Sequence, residues 1–218
     1  MNIKNNNISG VWIALLGPDG CGKSSVIEQL KVNLYDNNFS GIEVLHLRPH
    51  VRLGIKKNTV NESVDNPHGQ DVRGSLISFI KIIYFLFDYT VGYFIRVRPL
   101  LQKNKLVIFD RYYYDLLVDP KRYRYGAPIW FARLIGYLIP KPNLIILLNA
   151  PANIIQSRKQ EVSFDETERQ IKEYYKLIHG MKHGVVINVV QPIDKVVTDI
   201  ENAVMAYIEC KTVDKVSE

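Results

Sequence analysis

Short segments rich in aliphatic residues alternate along this chain with longer segments whose apolar residues recur at helical spacing. The aliphatic segments are predicted to be strands, at 11–16, 41–48, 106–110, 144–148 and 185–190. The segments between them are predicted to be helices, at 25–34, 76–104, 128–139, 151–159, 164–179 and 192–211. Strands that alternate with helices indicate an α/β fold, a three-layer αβα sandwich around a five-stranded parallel sheet. Ligands of such sheets bind beyond the carboxyl ends of the strands.

A glycine-rich octapeptide joins the first predicted strand to the first predicted helix. It reads Gly-Pro-Asp-Gly-Cys-Gly-Lys-Ser and fits the phosphate-binding pattern G-x-x-x-x-G-K-[ST]. Backbone amides at a helix N-terminus bind anions, so the loop predicts ATP binding, with Lys23 on the β- and γ-phosphates and the Ser24 hydroxyl on Mg²⁺. The predicted nucleotide-binding residues are Gly17, Pro18, Asp19, Gly20, Cys21, Gly22, Lys23, Ser24 and Ser25.

Composition limits the class of protein. The chain has 218 residues, 47% of them apolar, which suits one globular domain with a polar insertion at about 49–73 and a short lid at about 158–165. Its net charge of +6 comes from scattered basic residues, so we expect anionic small molecules and no nucleic acid as partners. Cys21 and Cys210 lack the spacing of a metal site or disulfide framework, and the N-terminus lacks the apolar core of a signal peptide. These features predict a cytoplasmic protein.

The apolar stretch 76–101 has the length of a membrane span. Four charged residues interrupt it, namely Lys81, Asp88, Arg96 and Arg98. Charges are costly in hydrocarbon, so we predict a long buried helix that also forms a subunit contact, without stable membrane insertion. A role at the membrane surface is the alternative, because basic residues lie among aromatic ones near the end of the stretch.

A charged triplet, Asp110-Arg111-Tyr112, directly follows the third predicted strand. The Asp110 carboxylate is suited to hold Mg²⁺, directly or through water, beside Ser24. Arg111 offers a forked donor for a phosphate. The alternatives are a helix N-cap for Asp110 and a surface ion pair for Arg111.

With this triplet, the sequence from about residue 11 to the last helix resembles the thymidylate kinase family of nucleoside monophosphate kinases. The resemblance rests on the acidic loop residue Asp19, the pair Arg48-Pro49, the triplet, and an arginine-bearing helix at Arg158 followed by a short lid. It implies the P-loop NTPase fold of the nucleoside monophosphate kinase type. It also implies that ATP and Mg²⁺ are used and that the chain forms a homodimer through the long helix.

The resemblance also assigns roles in the acceptor site. Arg48 and Arg111 would hold the acceptor phosphate, Asp19 would reach the acceptor sugar, and Phe85 would stack on the base. Together with further candidates, the predicted substrate-binding residues are Asp19, Arg48, Phe85, Asp88, Arg111, Tyr112, Arg122 and Arg124. The predicted catalytic residues are Lys23, Arg111 and Arg158, which stabilise charge on the transferred group.

Four of these candidates have an ordinary structural alternative. Arg122 and Arg124 line the acceptor pocket or belong to a solvated basic turn. Asp88 binds a hydroxyl of the acceptor or is a buried partner of an arginine. Arg158 is a lid arginine or a surface charge of its helix.

The departures from the family pattern concern the acceptor. The family's phosphate-binding arginine on the long helix aligns with Tyr89, and its thymine-reading residue aligns with Val91. The basic and aromatic block 119–126 replaces small polar residues. The chain is similar to thymidylate-kinase-like proteins encoded among bacterial surface-polysaccharide genes. We therefore predict a kinase that phosphorylates dTMP or a related nucleotide, with a sugar or sugar-nucleotide kinase and a non-catalytic ATP-binding regulatory protein as alternatives.

Overall fold

The computed structural model of the chain describes residues 10–33, 39–49, 68–69 and 71–216. A five-stranded sheet contains β1 (Val11–Leu16), β2 (Ile42–His46), β3 (Leu106–Asp110), β4 (Leu144–Asn149) and β5 (Gly184–Asn188). Its order is β2-β3-β1-β4-β5, and all pairs of neighbouring strands are parallel. The predicted parallel sheet is therefore confirmed.

The helices are α1 (Lys23–Asn33), α2 (Ser75–Gly92), α3 (Arg98–Gln102), α4 (Tyr114–Val118), α5 (Ile129–Leu138), α6 (Ala152–Arg158), α7 (Phe164–His179) and α8 (Ile193–Val216). A π-helical turn, Tyr93–Val97, joins α2 to α3, so the predicted long helix changes its hydrogen-bonding pattern in the middle. The short helix α4 was not predicted.

The two sides of the sheet carry separate apolar cores because successive side chains of a strand point to opposite faces. In β1, Trp12 and Ala14 pack on one side, against residues of α2, α5 and α7. Ile13 and Leu15 pack on the other side, against residues of α1, α6 and α8. All of β1 is buried, as expected for a central strand covered by two helical layers, and the three-layer sandwich is confirmed.

The long helical stretch is less buried than the sequence predicted. Ser75–Gln102 is the one helical stretch in the described part of the chain that is long and apolar enough to cross a membrane, and 33% of its most apolar window is buried. Its outer face exposes large apolar side chains: Leu76, Ile77, Ile80, Ile83, Tyr84, Phe87, Phe94 and Ile95. The prediction of a buried helix therefore holds for the inner face alone.

The strand order determines which predicted site residues are neighbours. The phosphate-binding loop follows β1, and β1 pairs with β3, which ends at Asp110. Arg48 follows β2, on the far side of β3 from β1. Two strand spacings put the ends of β1 and β2 about 10 Å apart. The predicted polar insertion lies mostly outside the described residues, which include only 49, 68–69 and 71–73 of it.

Candidate active site

The phosphate-binding loop has a backbone that requires glycine. Gly17, Gly20 and Gly22 have φ angles of 144°, 88° and 95°, which side-chain-bearing residues rarely adopt. A Cβ atom on Gly17 would also lie 2.7 Å from the carbonyl oxygen of Leu148. The glycine pattern thus allows the loop to turn sharply at the end of β1, as the motif predicts.

Lys23 begins α1 and folds back over the loop. Its Nζ atom donates to the carbonyl oxygens of Gly17 at 2.7 Å and Pro18 at 2.9 Å, and its side chain is buried. An ammonium group has three donors, and the third is directed at Sγ of Cys21, a weak acceptor at 3.5 Å, so the amine is held within the loop. Ser24 and Ser25 are exposed in the first turn of α1, beside this amine.

Asp110 lies at the carboxyl end of β3, in register with Leu15 at the end of β1. Its Oδ2 atom is 3.3 Å from Nδ1 of His46, whereas its Oδ1 atom is buried and has no hydrogen-bond partner among the described residues. Burial raises the pKa of this carboxyl group. The hydrogen bond to His46 and the charge of Lys23 lower the pKa by more than burial raises it, so the pKa lies below its ordinary value. An ionised carboxylate with an unpartnered oxygen fits Mg²⁺, and Ser24 and Asp110 are the residues that would hold the ion.

Arg111 directly follows Asp110 at the carboxyl end of β3, and its side chain is held in a fixed position. Its guanidinium is buried between two carboxylates, bonded to Asp19 and 3.5 Å from Oδ1 of Asp115. Asp115 in turn accepts hydrogen bonds from the Tyr112 amide at 2.9 Å and the Tyr174 hydroxyl at 2.6 Å. Burial lowers the pKa of Arg111, but Asp19 and Asp115 raise it well above its usual value. The guanidinium therefore stays charged in a fixed orientation.

Asp19 connects the loop to a second arginine. Its two carboxylate oxygens bond to Arg111 and Arg122, respectively. Burial raises the pKa of Asp19, but the attraction of Arg111 and the other neighbouring cations lowers it far below its usual value. Arg122 also lies 3.5 Å from Glu161, which pairs with Lys159 in the predicted lid. A chain of ion pairs thus joins the phosphate-binding loop to the lid.

The two arginines of the basic block diverge. Arg122 faces the loop, whereas Arg124 has a φ angle of 50° and donates from Nε to the backbone oxygen of Asp71 at 2.9 Å. The left-handed turn at Arg124 sends its side chain toward the 71–74 segment.

Arg48, Phe85 and Asp88 form a second group, on the β2 side of the cleft. Nη1 of Arg48 lies 3.0 Å from Oδ2 of Asp88, and its Cζ atom lies 4.7 Å from the centroid of the Phe85 ring. Asp88 is 1% exposed and is thus a buried partner of an arginine, the second of its two predicted roles. Phe85 is 6% exposed, with its ring against a cation. Tyr89, at the position of the family's arginine, is buried in the core and donates to the Leu47 carbonyl oxygen.

The prediction that Tyr112 binds the substrate is wrong for its side chain. The ring is 0% exposed, packs edge-on against Tyr89 and Phe109, and its hydroxyl donates to the Pro140 carbonyl oxygen at 2.5 Å. The Tyr112 side chain thus lies in the core, whereas the side chain of Arg111 extends toward Asp19 of the phosphate-binding loop.

Arg158 lies at the end of α6, and its Nη2 atom donates to the Val189 carbonyl oxygen just after β5, at 3.0 Å. The described contacts do not join it to Lys23 or Arg111, and its catalytic role stays a prediction.

The sequence analysis did not predict Glu161 and Tyr174 as residues of the site, since neither belongs to a motif. The spacing of four between Arg111 and Asp115 was the available signal for the buried pair.

Known proteins similar to this chain are thymidylate kinases, although no protein-family model matches it. A "Probable thymidylate kinase" of Staphylothermus marinus is 26% identical over 212 residues, which cover 92% of this chain and 97% of the relative. One of Thermococcus kodakarensis is 27% identical over 224 residues, covering 91% and 97%. The crystal structure of thymidylate kinase from Ehrlichia chaffeensis has a TM-score of 0.57 and 17% sequence identity, covering 90% of this chain and 99% of that one.

The structural likeness shows the fold, that of a thymidylate kinase-type P-loop NTPase. The sequence similarity extends over nearly the whole chain and supports a thymidylate kinase-like family and a P-loop kinase enzyme, as the sequence analysis predicted.

Proposed function

We propose that this thymidylate kinase-like chain transfers the γ-phosphoryl group of ATP to a nucleoside monophosphate, dTMP or a related nucleotide. One observation carries the proposal: the glycine loop, the unpartnered Asp110 oxygen and the rigid Arg111 guanidinium meet at the ends of the adjacent strands β1 and β3. A phosphate chain on the loop would lie next to both a cation site and a fixed positive charge. That arrangement is what phosphoryl transfer requires of a protein.

Each side chain then has a defined task. Lys23 exchanges a loop carbonyl for a phosphate oxygen, and Arg111 neutralises charge that develops between donor and acceptor. Mg²⁺, when bound through Ser24 and Asp110, supplies positive charge to the phosphate oxygens. An acceptor phosphate needs no general base because its oxygen is already ionised. With a hydroxyl acceptor, a carboxylate would have to take the proton. Asp19, Asp88 and Asp115 are all in ion pairs, and Asp19 in the loop is the most accessible of them, since the other two are each 1% exposed.

The experiment that tests this function measures ADP formation with ATP·Mg²⁺ and a panel of nucleoside monophosphates and sugar phosphates. Turnover with dTMP would support a thymidylate kinase. Turnover with a sugar phosphate alone would support the second candidate, a kinase that acts on a sugar intermediate. The burial of Tyr89 favours an acceptor other than dTMP, because a buried tyrosine replaces the arginine of the family at this position. Magnesium-dependent ATP binding without turnover of any acceptor would instead support a non-catalytic ATP-binding regulatory protein.

Replacement of Asp110 by asparagine should weaken the magnesium dependence of catalysis. Asparagine keeps the shape of the side chain but removes the negative charge opposite the cation. We expect the Mg²⁺ concentration for half-maximal rate to rise roughly tenfold or more, as when a supporting ligand is lost. Titration of the rate with Mg²⁺ at saturating ATP measures this. If the Mg²⁺ concentration for half-maximal rate is unchanged in the variant, residues other than Asp110 bind the ion.

We also propose that the chain is a cytoplasmic homodimer that pairs through the exposed face of α2 and the π-helical turn. Phe94 is 54% exposed on this face. Replacement of Phe94 by glutamate should convert the dimer to a monomer in sedimentation equilibrium. The matched control is Val32→Glu on α1, which is also exposed but on the opposite side of the sheet. A wild-type chain that sediments as a monomer would contradict the proposal.

A further inference from the structure

The basic side chains of Arg48 and Lys81 lie against Phe85 in the half of the cleft that belongs to β2, and those of Arg73 and Arg124 are near enough to Lys81 to repel its charge. They are here termed the distal cation cluster: Arg48, Arg73, Lys81 and Arg124. Cζ of Arg48 lies 4.7 Å and Nζ of Lys81 lies 5.5 Å from the centroid of the Phe85 ring. The Lys81 amine donates to the Tyr123 carbonyl oxygen, next to Arg124 in the chain. The Arg73 amide donates to the Arg124 carbonyl oxygen at 3.2 Å.

The cluster concentrates positive charge. Burial, followed by repulsion from Arg73, Arg48 and Arg124, lowers the pKa of Lys81 to about 8. Arg48 has a counter-charge in Asp88 at 3.0 Å. Lys81 and Arg73 form no ion pair with a carboxylate of the described residues. Like charges held together repel one another, so an anion bound between them would be favoured.

The cluster is remote from the reacting centre. Arg48 follows β2, which is separated from the strand of the phosphate-binding loop by β3, a distance of about 10 Å. Arg111 and Arg122 occupy the near end of the cleft, where they bond to Asp19 of the loop. An acceptor whose reacting phosphate lies beside Arg111 therefore extends toward the distal cation cluster, where Arg48 would contact the far end of the acceptor and not the reacting phosphate that the family resemblance assigns to it.

An anionic group matches this environment better than a neutral base does. The Phe85 ring, predicted to stack on a base, is flanked by Arg48 and Lys81. The Lys81 amine has three donors and gives one of them to a backbone carbonyl. The oxygens of an uncharged ring can accept hydrogen bonds from these donors, but a carboxylate or phosphate would also neutralise their positive charge.

We propose that the acceptor carries a second anionic group at the end remote from the reacting one, and that Lys81 and Arg73 bind this group. This inference rests on the proposed function and narrows the acceptor to a class, phosphorylated sugars or nucleotides with an acidic substituent.

The test uses pairs of compounds that differ in one charge. dTMP is compared with 5-carboxy-2′-deoxyuridine 5′-monophosphate, and glucose 1-phosphate with glucuronic acid 1-phosphate. For each compound, kcat/KM is measured with ATP·Mg²⁺ and Kd by calorimetry with ADP·Mg²⁺. In at least one pair, we expect the acidic member to be preferred roughly ten- to hundredfold, the effect of one charge-assisted hydrogen bond.

Variants connect the preference to the cluster. Lys81→Met should abolish the preference and raise KM for the acidic member, whereas Lys81→Arg should retain it. Arg73 is exposed, so Arg73→Gln weakens the preference without risk to the core. Lys103→Met removes an equal charge from an exposed position after α3 and should change nothing. Thermal unfolding of each variant shows whether it is folded.

The outcomes separate this inference from the proposed function. Turnover in which neither acidic member is preferred would overturn the inference and leave the proposed kinase intact. A preference that survives in both Lys81→Met and Arg73→Gln would overturn the role of the cluster. Absence of binding and turnover with all the compounds would overturn both proposals.

Discussion

Replacement of Lys23 by methionine should reduce acceptor-dependent ADP formation roughly 10²- to 10³-fold, the usual loss when one preorganised donor to a developing negative charge is removed. Methionine has a similar length and no charge. The Lys23 amine is buried within the loop and is bonded to two of its carbonyl oxygens, so it is in position to exchange one of them for a phosphate oxygen. Steady-state kinetics with saturating ATP and acceptor measures the effect as a fall in kcat.

The loop bonds also make a competing outcome possible. Because Lys23 holds Gly17 and Pro18, its loss could disorder the loop and act on ATP affinity alone. Kd for a fluorescent ATP analogue separates the two, since a catalytic amine changes kcat more than Kd. The control is Lys31→Met, which removes an exposed lysine of the same helix that pairs with Glu28 at 3.5 Å. A Lys23→Met variant with wild-type kcat would contradict the assignment.

The features predicted most accurately are those encoded by contiguous residues. The β1 and β3 boundaries match the prediction because both segments are continuously apolar and end at turn-forming or charged residues. The glycine loop was predictable because its backbone angles demand glycine at fixed spacing. Helix α4 was missed because five residues are too few to show helical periodicity.

Features that depend on tertiary packing were harder to predict. Arg111 and Tyr112 are adjacent, and the left-handed backbone at Arg111, with a φ angle of 68°, separates the directions of their side chains. The sequence gives no sign of that angle, so Tyr112 was assigned to the acceptor. The pairing of Asp19 with Arg122 spans 103 positions of the chain, and only the packed fold brings these residues together.

Replacement of Arg111 by methionine should reduce kcat roughly 10³-fold, at least as much as the Lys23→Met substitution does. This loss is at the lower end of the range observed when a phosphate-stabilising arginine is removed. The guanidinium is bonded to Asp19 and lies near Asp115, so it cannot be replaced by a neighbour without rearrangement of the buried network. Arg111→Lys keeps the charge but cannot bond both carboxylates with a rigid fork, so we expect it to recover only part of the rate. Stopped-flow or coupled assays of ADP release measure both variants.

Stability is the effect that has to be separated from catalysis here. Asp115 is 1% exposed, and loss of its arginine leaves a buried carboxylate whose remaining hydrogen-bond partners in the described part of the chain are the Tyr174 hydroxyl and the Tyr112 amide. Breaking such a pair costs about 3 kcal/mol of the free energy of unfolding. The double variant Arg111→Met/Asp115→Asn removes both charges and should recover stability without recovering kcat. If the double variant regains the rate as well, Arg111 acts by holding the fold of the site, and its positive charge does not contact the transferred group.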